Sequence, residues 1–431
     1  MTRAGVRAAA IPDSAVPRLL AGRDGTDLAA HRARYGPCPV PAYPGRAGRR
    51  RLIETVAAAG LRGRGGAGFP TGRKLAAVAA AHRRPVVLGN GCEGEPASRK
   101  DHTLLTVAPH LVLDGAVLAA HALATDEIIL CIHAGDPVAA TVAAAIAERD
   151  DPVHWQLAEV PPGYVTSEES ALVNLLSTGN GKPTSKPPRP AERGVHRRPT
   201  LVDNVETLAH LGLIARHGAD WFRSAGTTES PGSTLVTIGG AVRAPGVYEI
   251  ALGMPLGAVL DLSGGPAQRV QAVLAGGYGG TWLPLPEALG VPLSHEGMHR
   301  AGAALGVPVL LALPAAACGL AETSRLLSWL AGQSAGQCGP CTFGLPALAA
   351  DLAALVAGRA TAATDALLHQ RLRIIPGRGA CGLPDGAVRL AASALDVFAR
   401  DLHHHQAGQP CRHAGQPASL PAPPTGWKPP R

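Results

Sequence analysis

The sequence Gly60-Leu-Arg-Gly-Arg-Gly-Gly-Ala-Gly-Phe-Pro-Thr-Gly-Arg-Lys74 contains six glycines and four cations in fifteen residues. Glycine lets backbone N–H groups approach a flat or anionic ligand, because no Cβ stands in the way. The letters from Gly63 to Gly68 match G-x-G-x-x-G, but a Rossmann fingerprint follows a strand. Here the preceding residues 51–61 have the apolar spacing of an amphipathic helix. We therefore interpret the stretch as a cofactor loop of another kind, with a structural loop as the alternative.

The composition limits the classes of protein to which the chain can belong. Its 431 residues exceed the size of one hydrophobic core, so we expect about two to four domains. The net charge is +8, but the basic residues are scattered and only 3% of residues are aromatic. Proteins that bind nucleic acids usually cluster their cations and stack bases on aromatic rings. We therefore expect no nucleic-acid partner.

No segment predicts a signal peptide or a membrane anchor. Residues 1–16 lack an apolar core of signal-peptide length. Residues 301–320 are uncharged and about as long as a membrane span, but they include Pro308 and Pro314. We interpret them as a buried strand over 307–313 that leads into a helix. The expected protein is cytoplasmic, without direct membrane insertion.

The first half of the chain predicts an N-terminal arm over 1–49, followed by an α/β domain over 50–228. The arm is rich in Pro and Arg and has one short helix near residues 27–34. In the domain, predicted strands alternate with predicted helices, which is typical of a largely parallel sheet. The strands are at 85–90 and 127–133, and the helices are at 104–124 and 138–149.

The second half predicts a small β-rich module over 229–300, a helical domain over 301–406 and a disordered tail over 407–431. The module has strands at 234–240 and 246–250 and a helix near 256–262. Helices separated by short links are typical of a bundle. The four predicted helices are 316–331, 345–356, 361–372 and 387–403.

Three cysteines lie in loops between the predicted helices of the last domain. They are Cys338 and Cys341, in Cys-Gly-Pro-Cys, and Cys381. Thiols at helix ends, beside free backbone N–H groups, suit an iron–sulfur cluster. The alternatives are a zinc site and a C-x-x-C redox dithiol, although the latter is expected near a βαβ pattern.

A fourth ligand is not evident from the spacing. Cys411 is a candidate, and it follows the run His403-His404-His405. We interpret that run as a solvated helix end, and Cys318 as a small apolar residue packed inside a helix.

Two adjacent acids, Glu168 and Glu169, follow a polar stretch at 163–167. They could be a solvated helix start, or they could face a cofactor.

Taken together, these motifs resemble the NADH- and FMN-binding flavoprotein subunit of bacterial respiratory complex I. Related subunits occur in NAD-linked hydrogenases and formate dehydrogenases. The resemblance is collinear and runs from about residue 50 to about residue 400. The segments that carry it are 60–74, 90–101, 163–172, 186–188, 204–208, 243–248, 334–344 and 379–385.

The resemblance implies an α/β flavin-binding domain, a small β-grasp (ubiquitin-like, SLBB-like) module and a C-terminal four-helix-bundle iron–sulfur domain. It implies electron transfer from NADH through FMN and a 4Fe–4S cluster to a partner carrier, with Cys338, Cys341 and Cys381 as cluster ligands. The residues at the family's flavin-site positions are Gly63, Arg64, Gly66, Lys74, Asn90, Glu93, Tyr164, Glu168, Glu169, Asn204 and Thr207.

Several positions depart from the family pattern. The first cysteine of C-x-x-C-x-x-C is Ala335, an Asp of the second flavin segment is Cys92, and the Gly before the paired acids is Ser167. With three cysteines, a cluster could have an open or water-bound iron, use Cys411, become 3Fe–4S, or be absent.

The positions expected to bind NADH also differ. Of three aromatic residues that sandwich the nucleotide in the family, only Phe69 remains, and Ala77 and Arg189 take the other two places. Each lost aromatic contact weakens binding by roughly 1 kcal/mol. The sequence therefore supports FMN more firmly than it supports NADH.

We expect an electron-transfer oxidoreductase that resembles NADH dehydrogenase and carries FMN and a 4Fe–4S-type cluster. Its donor would be NAD(P)H or another reductant, and its acceptor a ferredoxin-like or other redox-partner protein. The alternative is a non-catalytic scaffold or assembly module that has lost the flavin or the cluster. Ala335, Cys92 and Ser167 are the departures that this alternative would explain.

Overall fold

The computed structural model describes residues 18–20, 25–422 and 424. Parts of the predicted arm (1–17 and 21–24) and of the predicted tail (423 and 425–431) lie outside the described residues. The described chain forms two β-sheets with their helices, followed by a group of helices.

The first unit is built on a four-stranded parallel sheet, ordered β3-β2-β1-β4. The apolar runs of β1 and β2 are buried, as expected of central strands covered on both faces. The strands are β1 Val86–Asn90, β2 Glu127–His133, β3 His154–Val160 and β4 Thr200–Asn204. The helices are α1 Leu28–Tyr35, α2 Gly45–Ala59, α3 Thr71–Ala79, α4 Lys100–Val107, α5 Pro109–Ala122, α6 Val138–Ala147, α7 Glu169–Thr178 and α8 Val205–Arg223.

The single helix predicted over 104–124 is wrong, because the structure has two helices there. Pro109 has no backbone N–H and cannot continue α4, so the chain turns by 95° into α5. No single helix among the described residues is long and apolar enough to cross a membrane, although this bent pair passes that test of length and composition when taken together.

The core of the first unit depends on a close approach between α5 and α8. Gly115 of α5 faces the backbone of Leu208, where a Cβ would lie 1.8 Å from the carbonyl oxygen. Only glycine therefore allows this packing. The contact fixes α8, which begins directly after β4, against the sheet.

The second unit is a five-stranded mixed sheet, ordered β6-β5-β9-β7-β8, in which β5 and β9 are parallel and the other pairs antiparallel. Its strands are β5 Ser233–Gly240, β6 Gly246–Ala251, β7 Val270–Ala275, β8 Thr281–Pro284 and β9 Val309–Pro314. Its helices are α9 Leu256–Leu262 and α10 His295–Arg300.

The buried strand predicted at 307–313 is present as β9, and every residue of it is buried. It pairs with β5 on one side and β7 on the other. By hydrogen bonding β9 therefore belongs to the second sheet, whereas the predicted boundary at residue 300 assigns it to the helical domain.

The third unit is helical. Its helices are α11 Gly319–Gly332, α12 Leu345–Val356, α13 Ala362–Ile374, α14 Leu383–Val397 and α15 Ala399–Gln406. The last predicted helix, 387–403, is divided between α14 and α15 at Phe398. The ring of Phe398 is buried and packs edge-on against Trp282, with 5.2 Å between the ring centroids.

Residues 407–422 belong to the segment predicted to be a disordered tail, and some of them contact the rest of the molecule. Leu420 is only 3% exposed and lies in the apolar core of the helical unit. The Tyr278 hydroxyl donates to the carbonyl of Pro421 at 2.9 Å. One apolar side chain in a Pro- and Gly-rich segment was too weak a signal to predict this burial.

Candidate functional site

The topological switch point of the first sheet, where the order of the strands reverses, lies between β1 and β4. From β1 the chain continues to β2 on one side, whereas β4 pairs on the other side. Asn90 and Asn204 end these strands and are paired in register. Ligands of open α/β sheets bind beyond the carboxyl ends of strands at such a point.

A cavity of about 510 Å³ opens at this place. Its size lies within the range of cofactor sites, roughly 300–1,000 Å³. Six of the site residues expected from the sequence line it: Gly63, Lys74, Asn90, Glu168, Glu169 and Asn204. The altered positions Ala77, Ser167 and Arg189 also line it, as does Phe69.

The glycine-rich loop forms one wall of the cavity. The loop is closed by a hydrogen bond from the Gly63 N–H to the Phe69 carbonyl at 2.9 Å, and it leads into α3. Gly68 has a φ of +62°, and a Cβ there would lie 2.4 Å from His295 Cε1. Glycine is therefore required at Gly68 by both backbone conformation and space.

Lys74 reaches from α3 to the end of β4. Its Nζ donates to the Val202 carbonyl at 2.7 Å and to Asp203 Oδ1 at 3.1 Å. Asp203 Oδ2 is buried and has no hydrogen-bond partner among the described residues. Burial raises the pKa of Asp203, and Lys74 opposes that rise. Lys74 and Asp203 thus form a largely buried ion pair in the wall of the cavity.

Glu168 and Glu169 combine the two roles that the sequence left open. Glu168 Oε2 caps α7 by accepting from the N–H groups of Ser170 (2.8 Å) and Ala171 (3.1 Å). Lys186 Nζ lies 2.7 Å from Glu168 Oε1 and 3.2 Å from Glu169 Oε1. Burial alone would lower the pKa of Lys186, but the two carboxylates outweigh it and raise that pKa. All three side chains line the cavity.

The other five expected residues do not line the cavity: Arg64, Gly66, Glu93, Tyr164 and Thr207. Three of them support its walls. The buried Arg64 donates from its side chain to the Ser233 carbonyl (3.0 Å) and from its backbone N–H to Thr207 Oγ1 (2.8 Å). Glu93 accepts from the N–H groups of Asp101 and His102, both at 3.2 Å, at the start of α4.

The remaining two pack towards the other units. Gly66 lies against Val307, just before β9, and Tyr164 meets the Trp329 ring edge-on with centroids 5.7 Å apart.

A buried charge network behind the cavity was not identified as a unit from the sequence. Lys100 Nζ lies 2.6 Å from Asp101 Oδ1 and 3.0 Å from Glu206 Oε2, and it donates to Asn204 Oδ1 at 3.1 Å. The Asn204 amide donates in turn to Asp101 Oδ2 at 2.8 Å. The network fixes the Asn204 side chain at the cavity. The signal that could have found it is Glu206 itself, which is the only Asp, Glu, Lys or Arg residue in the first eleven residues of α8.

The three expected metal-binding cysteines are brought together at one end of the helical unit. Cys341 is buried, while Cys338 and Cys381 are partly exposed. Burial, together with the neighbouring Cys338 and Cys381, raises the pKa of Cys341 to about 12. Residues 340–344 form a π-helical turn, a geometry frequent at functional sites.

The distances between these three sulfur atoms limit which metal centre they can bind. A single tetrahedral Zn²⁺, with Zn–S near 2.3 Å, needs sulfurs within about 4 Å of one another. Among the described residues, these three thiols do not form a group whose ligand atoms all lie within 4.8 Å of one another. In the conformation described, these three sulfurs are therefore too far apart for one zinc ion to bind all of them.

The cysteine group adjoins the cavity through the Glu168–Lys186 pair. Burial raises the pKa of Cys381 to about 11, and Glu168 and Lys186 are close enough to influence it in opposite directions. The side chain of Gln337 also donates to the Pro183 carbonyl at 2.6 Å. The pair of charged side chains that lines the cavity thus also acts electrostatically on Cys381.

The structure places Cys411 elsewhere. It lies with Cys318 and His405, and the ligand atoms of these three residues are within 4.8 Å of one another. The expectation that Cys318 lies inside a helix is wrong, because it caps α11. His403 and His404 are exposed as expected, but His405 is fully buried.

The structure shows the contacts of two positions that depart from the family pattern, Cys92 and Ser167. Cys92 is 5% exposed and packs in an apolar cluster with Cys131 instead of lining the cavity. The hydroxyl of Ser167 donates to the Tyr164 carbonyl at 3.1 Å, so its own loop holds it.

Comparison with known protein families finds a match within each of the three units. Three family models match: the Nuo51 FMN-binding domain over residues 56–212, the SLBB domain over 235–281, and the NADH-ubiquinone oxidoreductase-F iron–sulfur binding region over 321–405.

Known proteins are similar to this chain over most of its length. The F subunit of the NADH-quinone oxidoreductase of Streptomyces coelicolor is 34% identical over 378 residues, 84% of each chain. The NADP-reducing hydrogenase subunit HndC of Solidesulfovibrio fructosivorans is 29% identical over 380 residues, 84% of this chain and 77% of that one. The crystal structure of an air-oxidised NAD⁺-reducing [NiFe]-hydrogenase superposes with a TM-score of 0.79 at 31% identity, covering 89% of this chain and 70% of that chain.

Proposed function

We infer what this chain does from the family to which it belongs, that of the NADH-quinone oxidoreductase F subunits and related hydrogenase subunits. It is an oxidoreductase similar to NADH dehydrogenase, and it transfers electrons by means of FMN and an iron–sulfur centre. FMN supplies a group that accepts a hydride as an electron pair and releases electrons singly, which suits transfer to a cluster.

We propose that FMN binds in the cavity at the ends of β1 and β4. The glycine loop lines the cavity with Gly63, Gly65 and Gly68, which have no side chains, and Asn90 and Asn204 line it at the ends of the strands. Asp203 Oδ2, buried and without a partner among the described residues, suits a hydroxyl or ring N–H of the ligand. Lys74 supplies a cation beside it. A non-catalytic scaffold that has lost the flavin would not require these groups around a cavity.

We propose that Cys338, Cys341 and Cys381 hold the iron–sulfur centre. Ala335 removes a fourth thiolate, and Cys411 lies instead with Cys318 and His405. The nearby Ser334 side chain opposes the rise in the pKa of the Cys341 thiol. The fourth iron of a 4Fe–4S cluster would therefore be bound by an oxygen, from Ser334 or water. The observation that carries the proposal of electron transfer is the Glu168–Lys186 pair, which lines the cavity and whose charges act on the pKa of Cys381.

The domain boundaries and the finer architecture belong to the same proposal. The strand order β6-β5-β9-β7-β8, with α9 between its two hairpins, supports a β-grasp module. The succession of α11 to α14 supports a four-helix bundle, to which α15 is added. We assign the module to residues 229–314, so that it includes β9, and the flavin domain to residues 50–228.

NAD(P)H is the proposed donor, and a ferredoxin-like protein is the proposed acceptor. Phe69 is 38% exposed and lines the cavity, where it can cover a nicotinamide nucleotide. Phe343 is 76% exposed and lies two residues after Cys341. An exposed aromatic side chain beside a redox centre is a suitable contact for a protein partner.

The test is an anaerobic visible spectrum of the purified full chain before and after addition of NADH. We expect flavin bands that bleach, and a broad brown absorbance from the cluster. Flavin that bleaches only with dithionite would show that NADH is not the donor. A protein without either chromophore after reconstitution with FMN, iron and sulfide would refute the proposed function.

A matched pair of cysteine variants tests the cluster assignment. Cys338→Ser should abolish the brown absorbance and leave the flavin bands, because the two sites are built from different units. Cys131→Ser, which changes a buried thiol in the apolar core of the first unit, should leave both. Retention of the cluster in Cys338→Ser would remove that residue from the ligand set.

A further inference from the structure

A second group of metal-binding side chains lies in the helical unit, apart from the three cluster cysteines. Cys318 caps the start of α11, His405 lies near the end of α15, and Cys411 is on the segment that follows α15. Their ligand atoms lie within 4.8 Å of one another, and Cys318 and His405 are buried. It is the only such group of three among the described residues.

The distances fit one tetrahedral cation. Zn–S bonds of about 2.3 Å and Zn–N bonds of about 2.0 Å at tetrahedral angles put the sulfur and nitrogen about 3.5 Å apart. Cys318 Sγ and His405 Nε2 are 3.5 Å apart.

The surroundings orient the ligands as they do in metal sites. His405 Nδ1 lies 2.9 Å from the Val356 carbonyl, so it carries the proton and leaves the Nε2 lone pair facing Cys318. The Ala321 N–H points at Cys318 Sγ from 3.3 Å, a hydrogen bond of the kind that a metal-bound sulfur can accept. A buried histidine fixed in this tautomer has its acceptor nitrogen directed at sulfur.

Room for a fourth ligand is present beside the group. A cavity of about 150 Å³ is lined by Cys318 and His413, among other residues. His413 Nδ1 is buried and has no hydrogen-bond partner among the described residues. His413 does not belong to the group whose ligand atoms lie within 4.8 Å of one another, so a water molecule in this cavity would complete the tetrahedron.

We propose that Cys318, His405 and Cys411 bind one Zn²⁺ ion, at a site distinct from the iron–sulfur centre. The donor set of two thiolates and one imidazole is typical of zinc. The ion would join the segment after α15 to the start of α11 and to the end of α15. Its role is to fasten residues 407–422, which have few other apolar side chains in the core. The proposal does not depend on which donor or acceptor the protein uses.

The experiment is metal analysis of the full-length protein, purified without chelators, by mass spectrometry of zinc and iron. We expect about one zinc ion per chain in the wild type. Zinc should be lost in Cys411→Ser and His405→Ala and kept in His404→Ala, a control with an exposed histidine on the same helix. In Cys338→Ser, iron should fall while zinc stays.

Several results would overturn the proposal. These are zinc that persists in both Cys411→Ser and His405→Ala, zinc that is lost in Cys338→Ser, and a wild-type protein that takes up no zinc even after incubation with Zn²⁺. A Cys318–Cys411 disulfide, detected by alkylation and peptide mass spectrometry, would do so as well. Cys411 is partly exposed, so Cys411→Ser keeps the test valid if His405→Ala does not fold.

Discussion

Replacing Glu206 by Gln removes one charge from the network behind the cavity and leaves the size of the side chain unchanged. Glu206 is fully buried, with Lys100 Nζ at 3.0 Å and the Arg64 guanidinium at 3.8 Å. Its Oε1 also accepts from the Leu235 N–H and the Thr234 hydroxyl, both at 2.9 Å. Glutamine keeps an acceptor for these groups but leaves two buried cations with less opposing charge.

The expected loss follows from the pKa of Glu206. Burial alone would raise it, but Lys100, His210 and Arg64 outweigh burial and lower it from 4.5 to about 2. At about 1.4 kcal/mol per pKa unit, this difference contributes about 3 kcal/mol to the free energy of unfolding. Removing one partner of a buried ion pair costs about 3–5 kcal/mol, which agrees.

The sign of the pH dependence follows from the same value. A lowered carboxyl pKa stabilises the folded protein fully above about pH 4.5, and that contribution is lost as the pH falls towards 2. The difference between wild type and Glu206→Gln should therefore be about 3 kcal/mol at pH 7 and should narrow on acidification.

Urea unfolding followed by circular dichroism, at pH 7 and at steps down to about pH 3, measures both effects. Glu54→Gln is the control, because Glu54 forms an exposed pair with Arg50 and should change the free energy of unfolding by less than about 1 kcal/mol. A Glu206→Gln variant within about 1 kcal/mol of wild type at pH 7 would refute the argument, and so would a constant difference at all pH values.

Three further predictions concern the cavity and its partner. Gly68→Ala should lower FMN occupancy after dialysis, because its Cβ would meet His295, whereas Gly135→Ala, at a positive φ in open space, should not. Ala77→Phe should lower the KM for NADH by roughly fivefold, through about 1 kcal/mol of regained stacking, with unchanged flavin absorbance. Phe343→Ser should leave NADH oxidation by a small artificial acceptor unchanged and slow the reduction of a protein acceptor.

The strands and helices that the sequence predicted well have strong apolar periodicity. The residues of β2 and the bounds of α12 agree with the prediction, because an unbroken apolar run and a regular helical repeat define them. The strand β3 was not predicted. Its residues alternate in burial and carry His154, Gln156 and Glu159, a composition that does not favour a strand.

The residues expected at the candidate site also fall into two groups, those that line the cavity and those that do not. The residues of the glycine loop and of the strand ends were named as flavin-site positions from the family resemblance, and Gly63, Lys74, Asn90 and Asn204 among them line the cavity. Glu93 and Arg64 occupy family positions, yet their visible contacts are with the backbone of α4 and of β5. Which side of a segment faces a cavity depends on long-range packing, and no local pattern contains that information.

The same limit explains why the Cys318, His405 and Cys411 group was not predicted. Cys318 and His405 are 87 residues apart in the sequence. The adjacent histidines 403–405 have the same local composition, and only the packing of α15 buries one of them.

The departures from the family pattern are not spread evenly over the cavity. Lys74, Asn90 and Asn204, which keep the residue types of the family, are partly buried. Ala77 and Arg189, which the resemblance places where the family has aromatic residues, are exposed lining residues, whereas the altered lining residue Ser167 is partly buried. A flavin needs the enclosed part of such a site, whereas a dissociating nucleotide must use the accessible part. The pattern of change therefore argues for a retained flavin and an altered exchange of nucleotide, which is a change of donor preference within the same chemistry.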